Sequence, residues 1–172
     1  MLTIGLISDT HSYLDPKIFE HFADCDEIWH AGDIGNLEVA DKLSAFKPFK
    51  AVYGNIDGGK LRVIYPEHHS FVKEGIHFWI THIAGRPNAY AKGVKDILKK
   101  YKPQVLICGH SHILRVEKDS KYNNVLYINP GAAGKYGFHK VKTIIKFTID
   151  KGKFTDMKVI ELGDRAKIEE NQ

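Results

Sequence analysis

With 172 residues, 43% of them hydrophobic, the chain is long enough to bury one substantial core. Its formal charge of +4 is spread along the sequence, and its densest basic doublet, Lys99-Lys100, reads as a solvated helix end rather than a nucleic-acid patch. Cys25 and Cys108 stand 83 positions apart, which excludes a disulfide framework or a cysteine-only zinc site and fits a reducing, cytoplasmic setting.

Leu2–Ser8 is a short apolar run that predicts a strand buried on both faces; no basic leader precedes it and Asp9 follows at once, unlike a signal peptide. Asp15-Pro16 predicts an N-cap and first-turn proline, opening a helix through Ile18, Phe19 and Phe22. Glu27–His30 reads as a second strand. Asn36 is placed to cap a helix whose inward positions are Val39, Ala40, Leu43 and Phe46, and Phe49–Tyr53 reads as a third strand. This alternation predicts a parallel sheet with helices packed on it. Beyond it, Ser70–Lys73 and Ile76–Thr81 flank the turn Glu74-Gly75, a helix is expected from about Ala89 to Tyr101, and Gln104–Cys108 is strand-like. Leu114–Lys118 pairs with Val125–Ile128, and Thr143–Ile149 with Phe154–Ile160, giving an expected second, largely antiparallel sheet. No apolar stretch approaches the roughly 20 residues of a membrane span. The expected organisation is one domain over residues 1–165 and a flexible tail over 166–172.

Ser8, His30, Tyr53, Thr81 and Cys108 each close a predicted strand, and a polar, metal-type residue follows each of them closely. The segments are Asp9-Thr10-His11, Gly32-Asp33, Gly54-Asn55, His82 and Gly109-His110-Ser111-His112. Taken singly, each has an ordinary reading: a helix or turn cap, a tight turn, a core histidine. Jointly they offer two Asp, one Asn and four His at strand ends, where ligands of α/β sheets bind. Carboxylate and amide oxygens suit hard cations and imidazole suits Mn, Fe or Zn, so the inventory predicts two adjacent divalent ions and phosphoester hydrolysis. Ions about 3.5–4 Å apart clamp a phosphate and activate water, so no protein nucleophile is expected. His30 and Asp57 are candidates for orienting the ligand segments.

These motifs, with Tyr65-Pro66-Glu67 and Asn129-Pro130-Gly131, resemble the calcineurin-like metallophosphoesterases, and within them the small capless phosphodiesterase branch that also contains Vps29. The resemblance runs from about Leu2 to Ile160 and implies an α/β fold, a four-layer α/β/β/α sandwich of two facing mixed sheets. It further implies one metal on Asp9, His11 and His112, a second on Asn55, His82 and His110, and Asp33 bridging, with Asp33, Asn55 and His82 also positioning the phosphate. The implied ions are two Mn²⁺, with Fe, Ni, Zn and Co as alternatives. Three positions depart from the family pattern: Ile56 stands where many relatives have a histidine, Ile83-Ala84 replaces Gly-His, and Ala132 replaces a serine.

The expected function is a phosphodiesterase acting on a small phosphodiester; the alternative is a non-catalytic Vps29-like scaffold, which tends to lose the ligand side chains that are all present here. A nuclease would need a basic groove, which the mild charge does not suggest. Neither a membrane nor a nucleic acid is an expected partner, whereas a homo-oligomer fits similar proteins. Substrate selection is expected from loops at Pro87–Tyr90 and Gly134–His139, where Tyr136, Phe138 and His139 are candidates to line a base or an aryl group.

Overall fold

The computed structural model describes residues 1–166; the expected tail, apart from residue 166, lies outside the described residues. The first strand, β1 (Leu2–Ile7), pairs in parallel with β2 (Glu27–His30), and β2 with β3 (Phe49–Ala51). The connections are α1 (Lys17–His21) and α2 (Leu37–Phe46), the latter capped by Asn36, whose Oδ1 accepts from Val39 N at 3.0 Å. After a short helix α3 (Lys60–Ile64), β4 (His68–Lys73) and β5 (Ile76–Thr81) form the expected hairpin. A two-residue ribbon, β6 (Gly85–Arg86) and β7 (Ala89–Tyr90), precedes α4 (Val94–Tyr101). The chain closes with β8 (Val105–Ile107), β9 (Arg115–Asp119), β10 (Val125–Asn129), β11 (Val141–Asp150) and β12 (Lys153–Asp164).

Two five-stranded mixed sheets result, in the orders β12-β11-β1-β2-β3 and β4-β5-β8-β10-β9. Their facing sides bury one apolar layer in which Ile4, Leu6 and Trp29 meet Phe78, Ile80, Val105 and Ile107. Outside the first sheet, Ile7, Ile28 and Ile144 pack on Ile18 and Phe22 at α1 and on Val39 and Leu43 of α2. Outside the second, Trp79, Leu106 and Tyr127 pack on Val94 and Leu98 of α4. The four layers follow from strands apolar on both sides, each side needing a cover.

Three expectations are corrected. The last hairpin does not join the second sheet: β11 pairs antiparallel with β1, whose other edge β2 occupies. There, Ile145, Phe147 and Ile149 point between the sheets while Ile144 faces the helices, a two-sided burial that only a covered sheet provides. The second sheet is mixed, because β5, β8 and β10 run parallel. The helix expected from Ala89 begins only at Val94, since Asn88 (φ 69°) turns the ribbon and Gly93 (φ 85°) interrupts any helix with a left-handed backbone. Helix α3 has no amphipathic signal to betray it, as Val63 and Ile64 are exposed.

The loop that follows β1 is tied to β11 by a buried ion pair. Lys142 Nζ donates to Asp15 Oδ2 at 2.6 Å, both side chains being under a tenth exposed (8% and 7%), and Lys17 N donates to Asp15 Oδ1 at 3.0 Å. Burial pushes the Asp15 carboxyl up, but these hydrogen bonds outweigh it and hold it below its ordinary value. Removing one partner strands the other charge, so Asp15→Asn is expected to cost about 3–5 kcal/mol in denaturant unfolding, and Asp15→Leu/Lys142→Met to regain most of that. A carboxyl with a depressed pKa stabilises the fold above its unfolded pKa and loses that contribution as pH falls through the folded one. The wild type is therefore expected to lose stability on acidification below the ordinary carboxylate range more steeply than Asp15→Asn, read from unfolding curves across pH.

Candidate metal centre

The parallel strands of both sheets end at one crevice. Asp9 and His11 follow β1, Asp33 follows β2, Asn55 follows β3, His82 follows β5, and His110 and His112 follow β8. Five of these seven residues adopt left-handed backbone: Asp9 (φ 53°), His11 (44°), Asp33 (55°), His110 (70°) and His112 (60°). That conformation turns the chain sharply at each strand end, and Asp and His tolerate it better than branched residues. Hydrogen bonds across the strand ends hold it, from Asp9 N to Gly32 O (3.0 Å), His11 N to Asp33 O (3.0 Å) and Gly134 N to Asp9 O (3.0 Å).

The side chains gather into two groups of ligand-type atoms, Asp9, His11 and His112, and Asp33, His82 and His110. In the first, Asp9 Oδ1 lies 3.1 Å from His112 Nε2 and 3.8 Å from His11 Nε2. Asp33 Oδ2 sits between the groups, 3.3 Å from His11 Nε2 and 3.2 Å from His82 Nε2. Asn55 joins the second, its Oδ1 3.0 Å from His110 Nδ1. The crevice thus brings together all seven residues singled out from the sequence.

At Asp9, His82 and Asp33 the ligand-type atom left toward the other ligand-type groups is the one not engaged by the supporting hydrogen bonds. Asp9 Oδ2 accepts from Ser8 Oγ (2.7 Å) and His110 N (3.1 Å), while Oδ1 accepts nothing. His82 Nδ1 donates to Ala31 O at 2.8 Å, which puts a proton there and leaves Nε2 toward Asp33. Asp33 Oδ1 accepts from Ile56 N at 3.1 Å, freeing Oδ2. Asp9 Oδ1, His11 Nε2 and His82 Nε2 are buried with no hydrogen-bond partner among the described residues. Buried polar atoms are ordinarily paired, and unpaired oxygen and imidazole nitrogen converging in this way fit divalent cations.

His30 and Asp57 build the frame behind these groups. His30 is fully buried and bonds Thr10 Oγ1 through Nε2 (2.9 Å), while its Nδ1 accepts from Gly32 N (3.1 Å). Asp57 accepts from Ile34 N (3.0 Å), Gly35 N (2.8 Å) and Gly54 N (2.8 Å), clamping the Asp33 loop to the Asn55 loop. Two further supports have roles that the sequence reading did not assign: Ser8 on Asp9, and Asn129, whose Nδ2 donates to Gly109 O and Ser111 Oγ (both 3.0 Å). At Gly109 the backbone approaches so closely that a Cβ would collide with Ser8 Oγ and Asp9 Oδ2.

Charge follows geometry. Burial alone pushes Asp9 and Asp33 up, but the surrounding imidazoles and hydrogen bonds prevail and keep both carboxyls well below the usual carboxylate range. The Asp33 and Asp9 carboxylates in turn pull His11 up to about 9. Burial pushes His110 down, aided by the neighbouring His82. The crevice therefore holds two ionised carboxylates against imidazoles, an arrangement in which a bound cation can take the place of an imidazole proton.

The loops at the rim differ in role. Tyr136 stacks on His11 with ring centroids 5.0 Å apart, and His139 meets His112 edge-on at 5.2 Å, so both buttress the first group; Phe138 is fully exposed to solvent. Ala84 is fully buried under α4, so a histidine at that position would not fit there without repacking, whereas Ile83 is exposed at the crevice. Ala132 is likewise fully buried.

The model of the calcineurin-like phosphoesterase superfamily domain matches residues 2–152. A probable metallophosphoesterase of Methanothermobacter thermautotrophicus is 26% identical over 136 residues, covering 76% of this chain and 77% of that protein. Among solved structures, a novel archaeal phosphodiesterase superposes with a TM-score of 0.75 at 28% identity, covering 94% of this chain and all of the other. Vps29 of Chaetomium thermophilum shares the fold, with a TM-score of 0.73 at 15% identity over 94% of this chain and 97% of its own. The chain belongs to the calcineurin-like phosphoesterase superfamily, in its small capless branch.

Proposed function

We propose that the chain is a two-metal phosphodiesterase. The observation that carries this reading is the pair of ligand-type groups flanking one shared carboxylate oxygen, Asp33 Oδ2. Asp9, His11 and His112 would hold one divalent ion and Asn55, His82 and His110 the other, with Asp33 touching both. Bound there, such ions supply positive charge to a phosphoryl group and lower the pKa of water from 15.7 toward about 7. The chain's own residues keep that chemistry in register. Ser8 and the His110 N–H fix the Asp9 carboxylate, the Ala31 carbonyl fixes the His82 tautomer, and Asp57 fixes the spacing of the Asp33 and Asn55 loops. No Ser, Cys or Thr is assigned as nucleophile.

A diester fits better than a monoester, because it presents two ester groups and two clefts open beside ligand-type residues, one at Asn55 and His82 and one at His110. One, of about 660 Å³, adjoins Asn55 and His82; the other, of about 270 Å³, lies between His110, Ser111, Arg86 and Arg115. The archaeal phosphodiesterase neighbour supports the same choice. Retention of all seven ligand-type residues weighs against a non-catalytic scaffold. Mn²⁺ suits the mixed oxygen and imidazole donors, though Fe, Ni, Zn and Co suit them as well.

Purified protein loaded with Mn²⁺ is expected to hydrolyse bis(p-nitrophenyl) phosphate faster than p-nitrophenyl phosphate, with two equivalents of metal by elemental analysis. Chelation is expected to abolish turnover and Mn²⁺ to restore it. Loss of the shared carboxylate charge in Asp33→Asn is expected to lower kcat/KM by at least about 100-fold, in line with removal of a key electrostatic group. Hydrolysis that survives both chelation and Asp33→Asn overturns the reading. Ser8→Ala, which removes a hydrogen bond to Asp9, and Asp57→Asn, which loosens the loops carrying Asp33 and Asn55, are each expected to weaken Mn²⁺ binding about 10- to 100-fold, measured by calorimetry.

A further inference from the structure

The larger cleft has a chemistry that neither metal group uses. On one side Trp79, Val94, Ile97 and the exposed Ile83 present apolar surface. Across from it stands Tyr53 with the Arg62 guanidinium stacked on its ring, 4.6 Å from the centroid. Arg62 is held there by the carbonyls of Asp57 and Asn55, so its flat face is fixed rather than mobile. Lys92 and Glu67 stand at the rim with His68, whose Nδ1 shares a hydrogen bond of 2.9 Å with Thr81 Oγ1. Its Nε2 remains at the rim, 3.9 Å from Glu67 Oε1. The cleft begins at Asn55 and His82 themselves, so a group bonded to a phosphate in the centre enters it directly.

We propose that this cleft is a nucleoside-binding site, receiving one ester group of the phosphodiester; the assignment rests on the phosphodiesterase reading above. A volume of about 660 Å³ lies within the range of about 300–1,000 Å³ that small-molecule sites occupy. Flat groups at Tyr53 and Arg62 suit a base, which stacks on aromatic rings and on guanidinium planes alike. The polar rim suits the sugar hydroxyls and the hydrogen-bonding edge of the base. The isoleucine at position 83 completes the apolar wall at the crevice mouth, so the departure from the family's Gly-His makes part of this site.

Two esters with the same leaving group test it: methyl p-nitrophenyl phosphate and thymidine 5′-(p-nitrophenyl phosphate), both with the Mn²⁺-loaded protein. The wild type is expected to favour the thymidine ester in kcat/KM by about 5- to 150-fold, the range that one base-stacking contact supplies. Ile97→Trp, which fills the cleft from α4, and Lys92→Glu, which reverses the rim charge, are expected to bring that ratio close to one. Both should leave methyl-ester hydrolysis and Mn²⁺ stoichiometry unchanged. Calorimetry with thymidine 5′-monophosphate gives a readout independent of turnover, with Ile97→Trp expected to bind at least about ten-fold more weakly. An ester ratio and a monophosphate affinity that both ignore Ile97→Trp overturn the nucleoside site, while persisting methyl-ester hydrolysis upholds the phosphodiesterase. Conversely, hydrolysis of neither ester, with the monophosphate bound by the wild type and lost in Ile97→Trp, overturns the phosphodiesterase reading and upholds the site.

Discussion

The Asp33 carboxylate is held by one oxygen and shared by the other, with Ile56 N donating to Oδ1 and the imidazoles of His11 and His82 converging on Oδ2. His11 belongs to the first sheet and His82 to the second, so this one oxygen marks where the two halves of the molecule meet. Asp57 fixes the first sheet's side of that meeting. Its carboxylate takes three backbone N–H groups, from Ile34 and Gly35 after Asp33 and from Gly54 before Asn55, and charge-assisted bonds of this kind are the strong ones. Displacing the Asp33 loop would separate the two ligand-type groups and break the clamp together.

The site is built under backbone tension. Five residues with positive φ in one crevice represent a cost of about 1–3 kcal/mol each for strained positions, less for Asp and His than for branched side chains. The surrounding sandwich sustains it, since the loops grow from strands buried on both faces and are cross-bonded to one another. Buried charge adds to the same tension, because two carboxylates kept ionised require positive charge beside them, which the imidazoles around them supply. Backbone strain and buried charge both fall within the crevice, as expected where function sets the arrangement rather than stability.

Substitutions that depart from the family pattern acquire a meaning in three dimensions. Ile56 and Ile83 are exposed apolar residues beside the centre, and Ala84 is packed beneath α4. A chain lacking those imidazoles has Ile83 with the Tyr53–Arg62 pair on the Asn55 side, and Arg86 with Arg115 on the His110 side. The asymmetry gives the two ester groups of a substrate different surroundings, although the ligand-type residues themselves are distributed almost evenly.

The sequence by itself determined most of the strands, the β6–β7 ribbon excepted, because a buried strand must be apolar and the change to a polar residue at its end is visible locally, as at Ser8-Asp9 and Thr81-His82. It also determined the chemistry of the centre, since donor types are a property of side chains alone. It did not determine which sheet the last hairpin joins, because β11 carries apolar residues for both faces and pairing is a matter of which edge is free. The break before α4 was hidden too: Ala89 and Tyr90 fit a helical stripe, and only the ribbon turn at Asn88 and the backbone of Gly93 separate them from it. Which oxygen of Asp9 or which nitrogen of His82 faces the crevice was decided by tertiary structure alone. That choice depends on Ser8, His110 and Ala31 reaching these side chains from elsewhere in the fold, and a hydrogen bond between distant segments leaves no periodic trace in the chain.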